Sequence, residues 1–89
     1  MHQATSTIFV ASPAEQQLHA LHKPLRKLLV KRLQALRTSP RPPGVTKLEG
    51  VDHLYRIREG NYRIVYAIRD TNLIVLAIKN GARTDTSRS

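Results

Sequence analysis

Leu54-Tyr55-Arg56-Ile57-Arg58-Glu59-Gly60-Asn61-Tyr62-Arg63-Ile64-Val65-Tyr66-Ala67-Ile68-Arg69 reads as two strands around a tight turn. Apolar and polar residues alternate on both sides of Gly60-Asn61, and that dipeptide is a two-residue hairpin signal. With Gly60 and Asn61 as the loop, Glu59 faces Tyr62, Arg58 faces Arg63 and Arg56 faces Val65. Successive side chains along a strand point to opposite faces. Arg56, Arg58 and Arg63 therefore share one face, and Tyr55, Ile57, Ile64, Tyr66 and Ile68 share the other. The second set is a floor for packed helices. The first set is an open face with three guanidinium groups.

The segments around this hairpin supply the rest of the fold. Downstream, Asp70-Thr71-Asn72 reads as a three-residue turn into a last strand over residues 73–79. Upstream, Thr7-Ile8-Phe9-Val10-Ala11 is rich in β-branched and aromatic residues and predicts a first strand. It stops at Ser12-Pro13-Ala14-Glu15, where Ser12 is placed to cap a helix, Pro13 fits its first turn and Glu15 can return a bond to the cap. Ala14, Leu18 and Leu21 recur at helical spacing up to about His22. Pro24 opens a second helix with an apolar stripe of Leu25, Leu28, Leu29, Leu33 and Leu36. That helix ends at Ser39-Pro40, and Arg41-Pro42-Pro43-Gly44 is a stiff connection. The expected fold is α+β with element order β-α-α-β-β-β: a helical hairpin on one face of a mostly antiparallel four-stranded sheet. Residues 1–89 are expected to form one domain, with residues 84–89 as a frayed tail.

Folding alone gives no reason to set Arg58 beside Arg63. Cross-strand neighbours have Cβ atoms about 5 Å apart, and like charges there weaken a sheet. Binding an oxyanion does give a reason, because each guanidinium presents a planar fork of donors. The competing reading is that Glu59 or Asp70 neutralises the arginines, or that they splay into water. Gly81, after the last strand, is expected to bring Arg83 near the same face. Of the other basic residues, Lys31 and Arg32 on the second helix and Lys47 and Lys79 flanking the arginine strands are expected to track a nucleic-acid backbone. The helix residues read equally as a solvated face.

Composition supports a polyanionic partner. The 89 residues carry 15 Lys+Arg against 6 Asp+Glu, a net charge of +9. Such an excess points to nucleic acid, an anionic membrane or an acidic protein. No cysteine is present, which excludes disulfides and thiolate zinc sites. His19 and His22 sit at helical spacing without an evident third ligand, so no metal and no cofactor is expected. The N-terminus lacks the apolar core of a signal peptide, and the apolar run at residues 73–78 is too short to cross a bilayer. The expected location is cytoplasmic, with no membrane partner. Tyr55, Tyr62 and Tyr66 are able to stack on bases, but Tyr55 and Tyr66 point with the core residues.

Pro40-Arg41-Pro42-Pro43-Gly44-Val45-Thr46-Lys47-Leu48-Glu49-Gly50, followed by Leu54-Tyr55-Arg56-Ile57-Arg58 and Gly60-Asn61-Tyr62-Arg63-Ile64-Val65-Tyr66, resembles the central signature of RelE-type toxins. With the preceding β-α-α, the resemblance to the RelE/ParE toxin superfamily covers nearly the whole chain. It implies a RelE-like microbial ribonuclease fold and a metal-independent endoribonuclease that cuts messenger RNA on the ribosome. In that chemistry the 2′-hydroxyl attacks the adjacent phosphate. By the same resemblance Arg56, Arg58, Arg63 and Arg83 are the catalytic residues, bracing the phosphate, stabilising the transition state and protonating the leaving oxygen. The implied partner is a cognate antitoxin with an acidic segment, in a toxin–antitoxin hetero-oligomer. The chain departs from the pattern where many members have a lysine at Arg56 or Arg58, a histidine at Ala82 and a tyrosine at Ser87. Asp85 and His53 are the titratable candidates to replace them. Two alternatives remain at this level: a non-enzymatic DNA gyrase inhibitor of the ParE kind, and an RNA binder that has lost its chemistry.

Overall fold

A computed structural model describes residues 6–48, 50 and 53–80. The chain forms β1 (Thr7–Val10), α1 (Ser12–His19), α2 (Lys23–Thr38), β2 (Thr46–Lys47), β3 (Leu54–Glu59), β4 (Tyr62–Arg69) and β5 (Asn72–Asn80). The sheet order is β1-β5-β4-β3-β2, with only the β1–β5 pair parallel. The sheet thus has five strands rather than the four expected. The additional one, β2, is two residues long, too short to show alternation in the sequence. It forms because the proline-rich connection returns along the free edge of β3, pairing Thr46 with Arg56 and Lys47 with Tyr55.

Both helices lie on one face. Leu29, Leu33 and Leu36 of α2 and Ala14 of α1 meet Ile57, Ile64, Tyr66, Ile68, Leu73, Val75 and Ile78 in a single buried cluster. Leu28, expected in the stripe, is 45% exposed. It sits about 100° around the helix from Leu29, in the column of Arg32. Leu25 is half-buried.

The helix ends differ from the sequence reading. Ala11, not Ser12, precedes α1 in extended conformation, because its N–H still donates to the Val75 carbonyl at 2.9 Å. Strand pairing therefore holds the chain extended one residue longer, and Ser12 becomes the first helical residue. α1 stops at His19 instead of near His22. Pro24 must occupy the first turn of α2, since a proline inside a helix costs a hydrogen bond, and His22 is already its extended cap.

Two turns fix the hairpins. Gly60, at φ +63°, closes the β3–β4 turn with Glu59 opposite Tyr62, the register read from the sequence. The β4–β5 turn is one residue shorter than expected. Asp70 takes φ +57°, a left-handed conformation that Asp tolerates, and Asn72 pairs with Arg69 as the first residue of β5.

The connection from α2 to β2 is tied to the core tyrosines. The Tyr66 hydroxyl donates to the Pro40 carbonyl at 2.7 Å, and Arg41 Nε donates to the Tyr55 hydroxyl at 3.1 Å. The Arg41 guanidinium lies 5.3 Å from the Tyr55 ring centre, a cation–π distance. The two tyrosine rings stack with centroids 5.9 Å apart. Burial pushes the Tyr66 hydroxyl up to about 12, so it is a neutral donor across the physiological range.

Candidate functional site

β-strand register builds the site. Arg58 pairs with Arg63, and Arg63 pairs on its other side with Lys79. Three cations therefore stand in one row across β3, β4 and β5, on the face away from the helices. Arg56 lies in the adjacent row, between Thr46 and Val65. Arg56 and Arg63 are half-buried, while Arg58 and Lys79 are exposed.

Lys79 reaches this row through a β-bulge. Tyr66 pairs with Val75 but Val65 pairs with Ala77, so Leu76 is an extra residue in β5. A bulge of one residue shifts every side chain beyond it to the other face. Leu73 and Val75 point into the core before the bulge, and Ile78 does so after it. Lys79 consequently faces Arg63 on the open side. This end of β5 is held from the edge as well. β1 has ended, and the Ile78 N–H instead donates to Oε1 of Gln17 from α1 at 2.7 Å.

The arginines are not neutralised by the carboxylates that the sequence offered. Glu59 points to the helix face and pairs with Arg32 Nε at 3.3 Å. Asp70 lies at the opposite end of β4. Among the described residues no carboxylate forms an ion pair with Arg56, Arg58, Arg63 or Lys79. Gly44, Thr46, Arg56, Arg58 and Arg63 line a depression of about 200 Å³.

The other expected residues are distributed elsewhere. Arg83, with Ala82, Asp85 and Ser87, lies outside the described residues. Lys47 is exposed on the edge strand, but its register with Tyr55 turns it away from the arginine row. Lys31 and Arg32 are on α2, across the sheet from the arginines, and line a depression with Leu28, Ala35 and Glu59. Arg32 is ion-paired with Glu59, although its buried Nε is not aligned for a hydrogen bond. His53, in a left-handed conformation at φ +68°, precedes β3. It is five residues from Arg58, about 16 Å along a strand. His19 is 3.9 Å from the Glu15 carboxylate on α1, and among the described residues no three metal-binding side chains converge.

Gly44 and Thr46 escaped the sequence reading as parts of the site. The available signal was Val45-Thr46, a β-branched pair following the prolines and placed to run beside the arginine strand. Chemically, the described lining is a set of fixed positive charges with one hydroxyl. Guanidinium groups stay protonated and offer donors only. They are suited to gripping a phosphodiester and to stabilising charge that accumulates on it.

Comparison with known proteins bears on the family and the fold. Residues 8–84 match the family model described as ParE toxin of type II toxin–antitoxin systems, parDE. The archaeal RelE of the RelE–RelB complex from Pyrococcus horikoshii is 28% identical, with a TM-score of 0.78 over 89% of this chain and 98% of the other. The intact Escherichia coli RelBE toxin–antitoxin complex contains a chain 26% identical, with a TM-score of 0.73 over 84% and 95%. The YoeB dimer from Staphylococcus aureus, at 19% identity, shares the fold with a TM-score of 0.70 over 85% and 97%. No curated protein matches significantly in sequence. The match spans both helices, the hairpin and its arginines, and the chain belongs to the family of ParE toxins of type II toxin–antitoxin systems, within the RelE/ParE superfamily.

Proposed function

We propose that this toxin is a metal-independent endoribonuclease that cleaves messenger RNA on the ribosome. The observation that carries the reading is the row Arg58–Arg63–Lys79 beside Arg56, with which no carboxylate among the described residues forms an ion pair. Like charges are held together at a cost to the sheet, and a phosphodiester is the ligand that turns this repulsion into attraction. In the reaction the ribose 2′-oxygen attacks the adjacent phosphorus and loses its proton. The bond to the 5′-oxygen breaks, and that oxygen takes up a proton, leaving a 2′,3′-cyclic phosphate. Arg56, Arg58 and Arg63 stabilise the dianionic transition state, supplying positive charge that in other nucleases comes from metal ions. Arg83 joins them by resemblance. Lys79 extends the cationic row toward a neighbouring phosphate.

The proposed partner is an antitoxin with an acidic segment, acting in the cytoplasm and complementary to the net charge of +9. The Pyrococcus horikoshii and Escherichia coli structures, both above 25% identity, are toxin–antitoxin complexes, and their RelB chains are the precedent.

A second reading is a non-enzymatic toxin directed at DNA gyrase. It is favoured by the family match to ParE toxins and by a described lining that holds no group titrating near neutrality. Mapping transcript ends after induced expression separates the two. Cleavage within messengers that Arg63→Ala reduces by at least about 100-fold, while the variant still folds, is the expected result. Intact transcripts together with inhibited supercoiling by purified gyrase would replace it with the second reading.

A further inference from the structure

The depression around the arginines contains one side chain of a different chemical kind. Arg56, Arg58 and Arg63 provide donors and no acceptor. Such a lining grips the phosphates of RNA and DNA alike, because the charge on the two backbones is the same. The two differ at the ribose 2′-hydroxyl, which both donates and accepts. Arginine can only donate to that hydroxyl, whereas a hydroxyl beside the phosphate can accept its proton as well, which makes it the better-suited group to tell RNA from DNA.

Thr46 is that group. It lines the same depression, lies directly opposite Arg56 across the β2–β3 ladder and is exposed to solvent. Its hydroxyl forms no hydrogen bond to another described residue. It can therefore turn toward a ligand without losing a protein partner. β-Branching limits its χ1 choices. Its backbone is held by the β2–β3 ladder. Directly paired positions have Cβ atoms about 5 Å apart. A phosphate on Arg56 thus brings its own ribose within reach of Thr46.

We propose that Thr46 is a specificity-determining residue that recognises the ribose 2′-hydroxyl next to the phosphate held by Arg56, Arg58 and Arg63, so that the site selects RNA over DNA. This rests on the reading of the depression as a phosphodiester site and is independent of whether the bound strand is cut.

The test is fluorescence anisotropy of the full chain with end-labelled single-stranded RNA and with DNA of the same base sequence, deoxyuridine replacing uridine. Each sample is run on a gel afterwards to score cleavage. Wild type should bind RNA more tightly than DNA. The near-isosteric T46V should weaken RNA binding by about fivefold, the size of one net hydrogen bond, and leave DNA binding unchanged. T46S should retain the preference. Equal loss for RNA and DNA in T46V, no loss for RNA, or a wild type without preference for RNA would overturn the proposal. A Thr46-dependent preference without cleavage would uphold it while removing the nuclease reading. Cleavage with a preference indifferent to T46V would do the reverse.

Discussion

Arg58 and Arg63 oppose each other across the hairpin, and among the described residues no carboxylate pairs with them. Relieving that repulsion should stabilise the free protein. Arg58→Thr, which keeps a good strand former, is expected to raise stability by about 0.5 kcal/mol, a few degrees in melting temperature for a domain of this size. The same variant should lower the slope of log affinity for single-stranded RNA against log salt by about 0.7, one phosphate contact. A calorimetric melt and a salt titration check the two halves, and an unchanged salt slope would remove Arg58 from the binding surface. Tyr66 gives a second residue-scale prediction. Its hydroxyl is raised to about 12 by burial, above the unfolded value near 10. The folded state therefore keeps a proton that the unfolded chain releases, and stability must fall as pH rises from 10 toward 12. Tyr66→Phe should lose the Pro40 hydrogen bond at neutral pH yet show a shallower alkaline decline in denaturant midpoint.

At the scale of elements, the bulge at Leu76 decides which side chains meet. Deleting Leu76 should convert the β4–β5 ladder to regular pairing without changing any partner beyond it, because Val65–Ala77 and Tyr66–Val75 then follow one another directly. The deletion variant is expected to fold and to keep its RNA affinity within about threefold, whereas a one-residue insertion after Ala77 should turn Lys79 away from Arg63. Loss of RNA binding on deletion would show that the local bend, not the register, sets the site. For the helical layer, Leu29→Ala should cost about 2–5 kcal/mol, since Leu29 is fully buried. Much of this was legible in the sequence. Gly60-Asn61 specified the hairpin register, and alternation then separated arginines from core residues. Three features were hidden for physical reasons. A two-residue strand has no periodicity, so β2 and the wall that Thr46 forms were invisible. Leu73-Ile74-Val75-Leu76-Ala77-Ile78 is apolar throughout, so nothing in it marks the extra residue. Glu59 was recognised as a candidate neutraliser, but only the packing of α2 shows it committed to Arg32 on the opposite face.

The whole molecule divides its charge by surface. The open face of the sheet holds Arg56, Arg58, Arg63 and Lys79, while the helical side holds Arg26, Lys27 and Lys31 around a groove with Leu18 and Val30. An acidic partner therefore meets positive charge on both sides. Its binding should raise the melting temperature with partner concentration, and should be faster at low salt than at high salt. Calorimetry of the co-expressed pair, compared with the toxin alone, tests the first, and stopped-flow association tests the second. Within the described residues no helix is long and apolar enough to cross a membrane.

The parallel pairing of β1 with β5 has a consequence for how the protein comes into being. Thr7 and Asn72 sit side by side in the finished sheet, although both helices and three strands lie between them in the chain. Synthesis proceeds from the N-terminus, so β1 emerges with no neighbour to join and must wait until β5 has followed it. Ring closure over so long a span is slow. A newborn toxin molecule thus passes an interval with an unfinished edge, during which an antitoxin has time to arrive.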